Sequence, residues 1–369
     1  MESAKPSQDL VRSLTDEHVL TALVRHRRLT RAELATAIGI SKPTAGESVR
    51  RLTERGLVAD TGERTPGGRG RGRVGSYYAL SPQVGVALAV TITPEGVIAE
   101  ALSVYGDTVA RAARQIDRPA RPRQVSAALQ SVAAEVRDAC GRPARLAVVG
   151  VADPVDRATG RLMQLPDAPF LVGELDPAGI LAPIVGERVV VDNDVNWAAL
   201  AERDSGGPGP SRDFAYLYLG EGLGCAIVND GEIRRGGAGL AGEIAHLLTV
   251  GPGGQAIRFI ELFGELGLRR AGSTAIDVDR LLSSPDRTHE VLAAAAAGVI
   301  AAVVALADPL RVVIGGPWGV ALVGDIRAAV DRLPRRVPVQ PAAVTGEPVM
   351  AGVRSEALHG LRALVTAGA

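Results

Sequence analysis

The sequence predicts an α/β chain in two parts, and three observations carry that expectation. Near the front, a Thr-x-x-Glu start, a glycine turn and a second capped helix follow one another in close order. From about residue 83 the pattern changes to apolar strands alternating with helical stretches. That pattern then repeats, each half opening on a strand, a turn and a returning strand. A small module over residues 1–80 and a body over residues 81–369 are expected. The body should consist of two lobes with a cleft between them and a lobe boundary near 195–212.

Residues 1–29 read as a helix whose apolar set is Val11, Leu14, Val19, Leu20 and Leu23. Thr30 to Glu33 forms a capping box, which marks a helix start. Leu34, Ala37 and Ile38 give that helix an apolar face. Gly39 makes a tight turn. Ser41 is a good cap for the next helix, and Pro43 suits its first turn. Ala45, Val49 and Leu52 fall at i, i+4 and i+7, a buried stripe, while Lys42, Gly46, Glu47 and Arg50 occupy the opposite face. Gly56 ends the helix, and "LVAD" and "YYAL" are placed to pair as two wing strands. This is the order of a winged helix-turn-helix, and it places Ser41–Arg55 in the major groove of duplex DNA. Lys42, Pro43, Thr44, Glu47 and Arg50 are the candidates for contact with base edges or phosphates. In the Gly/Arg-rich wing tip or linker over 62–76, Arg69, Arg71 and Arg73 alternate with glycines. That spacing suits guanidinium entry into a narrow minor groove, or a solvated linker.

Charge supports the division. The 369-residue chain is formally neutral, yet residues 1–80 carry 14 basic and nine acidic side chains, so a basic front precedes an acidic body. Such asymmetry suits a DNA-binding module on a ligand-binding domain. With 46% hydrophobic but only 3% aromatic residues, the core must be built from Val, Leu, Ile and Ala. Two cysteines, Cys140 and Cys225, exclude a disulfide framework and a cysteine-rich zinc site. Ala293–Ala307 is apolar but short and ends at Asp308-Pro309, so no membrane span and a cytoplasmic location are expected.

In the body, "VGVALAVTI" and "GVIAEALSVYG" read as successive strands of a meander, and "RQVSAALQSVAAEVRDAC" as a helix. "RLAVVGVADPVD" is a buried strand ending in a loop, and "RVVVDNDVNWAALAERDSG" a strand, loop and helix. "FAYLYLGEGLGCAIVNDGEI" repeats the strand, glycine turn and returning strand. "ADPLRVVIGGPWG" is a later strand ending in a glycine pair.

Taken with the winged helix-turn-helix, "VADPVDRATGRL", "VDNDVNWAALAE", "GEGLGCAIVNDGEIRRGGAGLAGEIAH" and "DPLRVVIGGP" resemble the ROK family of repressors, open reading frames and sugar kinases. The likeness is to its transcriptional-regulator branch, typified by xylose and N-acetylglucosamine repressors. The resemblance covers nearly the whole chain in the family's order. It implies a bilobal actin-like ATPase fold, that is, a duplicated ribonuclease H-like domain. It also implies a homo-oligomer, dimer or tetramer, whose operator affinity changes when a sugar or sugar derivative enters the cleft. Carried over residue by residue, the family's sugar site falls on Asn193 and Asp194, on Glu243 and His246, and on Glu261. Carboxylates and an amide at fixed positions match a ring of hydroxyls, and an unmatched buried group is costly, which gives specificity. Asn193-Asp194 alone would also serve as a strand-end turn and helix cap.

Three departures from the family pattern separate regulator from kinase. Where the kinases carry an Asp-x-Gly-Gly-Thr phosphate loop, this chain has "TITPE", with Thr91 for the Asp and Pro94, which lacks an N–H, for a glycine. The second phosphate loop reads Gly220-Glu221-Gly222-Leu223-Gly224, and Glu221 would put a negative charge near a nucleotide phosphate without an evident metal to offset it. Finally, the three cysteines that with a histidine hold zinc in most of the family are missing, and Phe259 stands where the last is expected. No metal, no cofactor and no catalysis are therefore expected, with Ile257, Phe259 and Ile260 packing where the zinc loop would be. The leading reading is a sugar-modulated DNA-binding regulator, a repressor by the resemblance. The alternatives are a regulator that no longer responds to sugar and a carbohydrate kinase with an appended DNA module.

Overall fold

The computed structural model describes residues 8–65, 75–165, 170, 173–186, 188–206 and 212–367. The front module comprises α1 (Gln8–His26), β1 (Arg28–Thr30), α2 (Arg31–Ile38), α3 (Lys42–Glu54), β2 (Val58–Arg64) and β3 (Ser76–Leu80). Local chemistry sets these limits. The Thr30 hydroxyl accepts from the Glu33 N–H while the Glu33 carboxylate accepts from the Thr30 N–H, closing the capping box. Ser41 caps α3, whose Ala45, Val49 and Leu52 are buried as the spacing requires. The wing strands β2 and β3 pair antiparallel, and β1 adds to the other edge of β3.

Two apolar assignments are corrected. In α2 it is Ala35, not Ala37, that is buried with Leu34. In α1 only the second half packs: Val19, Leu20 and Leu23 are buried, while Val11 and Leu14 are exposed. The first turns of α1 extend beyond the three-helix core, so their apolar spacing finds nothing to cover it.

The first lobe contains β4 (Val86–Thr93), β5 (Gly96–Ser103), β6 (Thr108–Gln115), α4 (Pro122–Cys140), β7 (Ala144–Val151), α5 (Pro177–Val185) and β8 (Val189–Asn193). α6 (Asp194–Asp204) crosses to the second lobe. That lobe holds β9 (Phe214–Leu219), β10 (Leu223–Asn229), β11 (Glu232–Ile233), β12 (Leu248–Val250), β13 (Ala256–Arg258), α7 (Phe259–Glu265) and α8 (Val278–Leu282). It continues through α9 (Asp286–Ala307), β14 (Val312–Gly315), α10 (Pro317–Ala321), α11 (Val323–Val330) and β15 (Val339–Pro341). The chain then returns through α12 (Pro348–Ala367).

The duplication expected from the sequence is explicit in the sheets. Their strand orders are β6-β5-β4-β7-β8 and β11-β10-β9-β14-β15. In each, the first three strands in sequence form an antiparallel meander and the last two add in parallel. The β4–β5 and β9–β10 turns are therefore equivalent. β8 passes straight into α6, with no intervening loop, because Asn193 both ends the strand and caps the helix.

α9 is longer than the apolar run suggested. Over Asp286–Ala307 it is long and apolar enough to cross a membrane by length and composition, and half of its apolar window is buried. Leu292, Ala296, Val299, Ile300 and Val303 contribute to the second-lobe core.

The front module shares a core with the body instead of hanging from a linker. Val19, Leu20, Leu34 and Leu52 belong to the same buried cluster as Ala87, Trp197, Val353, Ala357 and Leu361 of β4, α6 and α12. Polar contacts reinforce the seam. Arg27 pairs bidentately with Asp107 at 2.7 Å, and the Tyr105 hydroxyl donates to the Arg27 carbonyl and accepts from the Leu80 N–H. The two lobe crossovers are also tied together. The buried Glu202 carboxylate of α6 accepts from the N–H groups of Ala343 and Val344, at 2.9 to 3.2 Å, just ahead of α12.

Candidate functional site

The exposed face of α3 presents Lys42, Pro43, Thr44, Glu47 and Arg50 together, as its spacing requires. α3 is held against α1 by Asp16, a buried carboxylate that accepts from the Ser48 hydroxyl at 2.5 Å and from Arg51 at 2.6 and 3.2 Å. Removing that carboxylate would loosen the helix that reads DNA. Three of the candidate side chains, Thr44, Glu47 and Arg50, are already engaged. Arg50 pairs with Glu47 at 3.0 Å and Glu54 at 2.6 Å, so contact with DNA must exchange those partners. The Thr44 hydroxyl lies 2.7 Å from that of Ser41, within the helix cap. No sequence motif marks Arg28 and Arg31, whose guanidiniums lie over the rings of Tyr77 and Tyr78 beside the wing. Arg69, Arg71 and Arg73 lie outside the described residues.

The second site is a cavity of about 220 Å³ in the cleft between the lobes. Such a volume is at the small end for ligand pockets and suits a single compact polar molecule. Asn193, Asp194, Glu243 and His246 all line it, from elements distant in sequence. Asn193 and Asp194 stand where β8 becomes α6. The Asn193 side chain accepts from the Val195 N–H at 3.0 Å and donates weakly to the carbonyls of Val151 and Asp153, both at 3.4 Å. It thus fills the helix-cap role and fixes the direction in which Asp194 leaves the strand. Behind it, Asp192 accepts from the Asn193 N–H, the Asn196 amide at 2.7 Å and Arg235 at 2.6 Å.

Glu243 is placed by close backbone approach. Cys225 donates its N–H to the Gly242 carbonyl at 2.9 Å, and Gly242 has φ +98°. A Cβ there would meet the Cys225 carbonyl oxygen at 1.7 Å, so only glycine lets the loop lie flat on β10.

Glu261 is a correction. It does not line the cavity, but is exposed on α7 and paired with Arg258 at 3.4 Å. The packing of α7 accounts for this. β12 and β13 lead directly into α7, whose Phe259, Ile260, Leu262 and Phe263 turn into the core and leave Glu261 outward. The family's zinc does not fit this region. Phe259 is fully buried with Phe263 and Trp318 in a chain of tilted rings, with centroids 5.6 and 5.8 Å apart. Among the described residues no three His, Cys, Asp or Glu side chains are grouped to hold a metal ion. Ile257, Phe259 and Ile260 occupy the space with apolar packing.

Glu221 at the β9–β10 turn is engaged by side chains: one carboxylate oxygen pairs with Arg118 and the other with Arg270, each at 2.6 Å. Arg118 was missed because no local motif marks it; only the fold brings it to the β9–β10 turn. Asp153, Glu95 and Tyr218 also line the cavity; they lie in segments whose motifs the sequence shows, but are not singled out within them.

Burial pushes the Asp194 carboxyl up to about 7, with the charge of nearby Glu243 adding to it, and burial alone pushes Glu243 up to about 7. Both groups hold protons to higher pH folded than unfolded. Their contribution to stability is therefore fully present at acid pH and is lost as pH rises through about 7. Asp194→Asn and Glu243→Gln are expected to flatten that loss. In thermal melts the variants should gain on the parent chain at pH 8 relative to pH 5.5, and an identical pH profile would show that these carboxyls are ordinary. Hydroxyl donors favour the ionised carboxylate, so a polyol ligand should bind more tightly at pH 8 than at pH 6 and release protons on binding.

Similarity to known proteins agrees with this geometry. A winged helix-turn-helix profile matches residues 12–59, and the ROK family profile matches residues 101–257. The ROK match spans less than half of the chain, over the first lobe and the start of the second. Among curated ROK relatives, a xylose repressor from Caldicellulosiruptor bescii is 23% identical over 245 residues, which is 64% of this chain and 59% of the relative. A glucokinase from Halalkalibacterium halodurans is 42% identical over 102 residues, 28% of this chain and 30% of that enzyme. The chain therefore spans less than two thirds of the length of each. A solved ROK family transcriptional regulator, a homolog of the E. coli MLC protein, superposes with a TM-score of 0.60 at 17% identity. That superposition covers 97% of this chain and all of the other, so the winged helix-turn-helix followed by an actin-like ROK body is the same fold.

Proposed function

We propose that the chain is a DNA-binding transcriptional repressor whose hold on its operator is set by a sugar or sugar derivative bound in the interlobe cavity. The observation that carries this reading is the shared core. The recognition module is packed onto α12, α12 onto α6, and α6 starts at Asn193 and Asp194 in the cavity wall. A Cβ at Gly352 of α12 would meet the Trp197 carbonyl of α6 at 1.9 Å, so the two helices pack backbone to backbone, which couples their positions. A change in lobe angle therefore becomes a change in the direction of α3, without a flexible linker in between. The xylose repressor among the relatives supports the same class of effector.

Phosphoryl transfer is not part of this reading. Pro94 offers no N–H at the first phosphate turn, and at the second the guanidiniums of Arg118 and Arg270, which could meet a phosphate, are taken by Glu221. A regulator that has lost its sugar response is the second reading, favoured by the outward position of Glu261. A thermal-shift screen with monosaccharides, amino sugars and their phosphates separates the two. A rise in melting temperature with one sugar, abolished in Glu243→Gln, supports the effector site; a flat screen supports the second reading. ATP consumption with any sugar of the panel would overturn both.

One recognition helix covers few base pairs, so the working form is a homo-oligomer, dimer or tetramer, on a near-palindromic operator. Lys42→Ala and Arg50→Ala are each expected to weaken operator binding by about 5- to 100-fold if they reach base edges. Lys42 has no ion pair to give up among the described residues, so its removal should be the more directly felt of the two. Replacing Arg69, Arg71 and Arg73 with serine should lower the log–log salt slope by about 0.9 for each phosphate that is no longer neutralised. Gel shifts over a salt series check both; unchanged affinity in the two α3 variants would remove α3 from the interface.

A further inference from the structure

The two turns that face each other across the cleft are joined by charge. Arg118, three residues beyond β6, uses its whole guanidinium. Its Nε donates to the Pro94 carbonyl at 3.1 Å, one Nη to Glu95 at 3.1 Å, and the other Nη to Glu221 at 2.6 Å. The first two partners belong to the β4–β5 turn of the first lobe and the third to the β9–β10 turn of the second. Arg270, from the second lobe, takes the other oxygen of Glu221. The backbone around Glu221 is fixed as well: the Trp318 indole donates to the Gly220 carbonyl at 3.1 Å, and the Ile276 N–H to the Glu221 carbonyl at 2.9 Å. Arg118 and Glu221 line the cavity and are only partly exposed, at 39% and 23% of their side chains. At the other end of the cleft, Arg235 and Asp192 make a second bridge between the lobes at 2.6 Å.

We propose that Arg118, Glu221 and Arg270 form an ion-pair clasp that closes the lobes in place of a nucleotide, and so sets how much effector is needed to shift them. The carboxylate of Glu221 is a tethered anion held at the mouth of the cavity by one arginine from each lobe. It does from within the chain what a bound phosphate would do from outside, and it occupies the two guanidiniums that a phosphate would otherwise engage. Closure is then built in, and its strength depends on salt, because the pairs are partly solvated. The effector half of the proposal rests on the reading of the cavity as a sugar site; the clasp itself does not.

Amide hydrogen exchange on the full-length, ligand-free protein tests the clasp. In low salt, Glu221→Gln and Arg118→Gln should each speed exchange across residues 220–224 by about fivefold, as expected for a partly solvated ion pair. The double variant should exchange no faster than Glu221→Gln alone, because that single change already releases Arg118 from Glu221. Raising salt to about 1 M, where the screening length falls to about 3 Å, should speed exchange in the parent chain and not in Glu221→Gln. The salt arm needs no variant, so it stands even if one of them folds poorly. Exchange unaffected by salt in the parent chain, or additive effects in the double variant, would overturn the clasp. With a sugar identified, Glu221→Gln should shift its half-saturation by a similar factor. Absence of any sugar response would fail the effector reading while leaving the exchange result to decide the clasp.

Discussion

Asp194→Ala is expected to keep operator binding and to lose effector-driven release, with effector affinity falling about 100-fold or more, the cost of removing one charged partner from a ligand's hydroxyls. Asp194 lies in the cavity wall at the first turn of α6, and its direction is fixed by the Asn193 cap and by Asp192 behind it. It is therefore pre-positioned and costs a ligand little ordering. The front module packs against the opposite end of the first lobe, on β4 and α12, so deletion of this side chain leaves the DNA-binding core as it is. Asp194→Asn separates shape from charge: it keeps an acceptor but loses the ionised form and should fall between parent and alanine. Fluorescence anisotropy of labelled operator, titrated with the effector, reads both quantities. Release at the parental effector concentration in Asp194→Ala would remove this residue from the site.

Glu100→Ala is expected to destabilise the fold by about 3 kcal/mol, the lower end for breaking a buried ion pair. Glu100 on β5 is 1% exposed and accepts from Arg111 at 2.5 Å and from two nitrogens of Arg354 at 2.7 and 2.8 Å. Burial alone would raise its pKa, but Arg354 and Arg111 outweigh it and hold the carboxyl below its ordinary range. A depressed carboxylate contributes stability that is present above its unfolded pKa and lost as pH falls through the folded value. The deficit of the alanine variant should therefore shrink in acid. Arg111 and Arg354 both retain Glu347, at 2.8 and 3.2 Å, which is why the destabilisation stays near the lower end. Since Arg354 belongs to α12, which carries the recognition module, operator affinity should fall along with stability. Urea unfolding at pH 7 and pH 4 measures the first, and a deficit that is constant with pH would contradict the ionic account.

Much of this was legible in the sequence because local rules and tertiary demands agreed. The Thr30–Glu33 box, the Ser41 cap and the Ala45-Val49-Leu52 stripe specify α2 and α3 by short-range chemistry alone. The repeated strand–turn–strand pattern foretold two equivalent sheets. The readings that failed depended on what packs against what. Val11 and Leu14 have helical spacing, but the core ends before them. Glu261 was assigned by its place in a motif, but α7 turns Phe259, Ile260, Leu262 and Phe263 into the core and leaves Glu261 outward. Arg118 and Arg270 flank Glu221 from 103 and 49 residues away, a distance over which spacing carries no signal. The wing pairing of β2 and β3 was legible, but the core that the front module shares with α6 and α12 was not, because it joins residues about 150 to 340 positions apart, over which spacing carries no signal.

The central claim is that one chain both selects a DNA sequence and gives it up to a sugar. Selection of bound duplexes from a randomised pool by the full-length protein, followed by elution with each sugar of a monosaccharide panel, tests that directly. The account predicts enrichment of a near-palindromic sequence and its release by one sugar or sugar class, with Glu243→Gln retaining the same sequence but failing to release it. No enrichment over random DNA, or release that is the same in Glu243→Gln as in the parent chain, would contradict it.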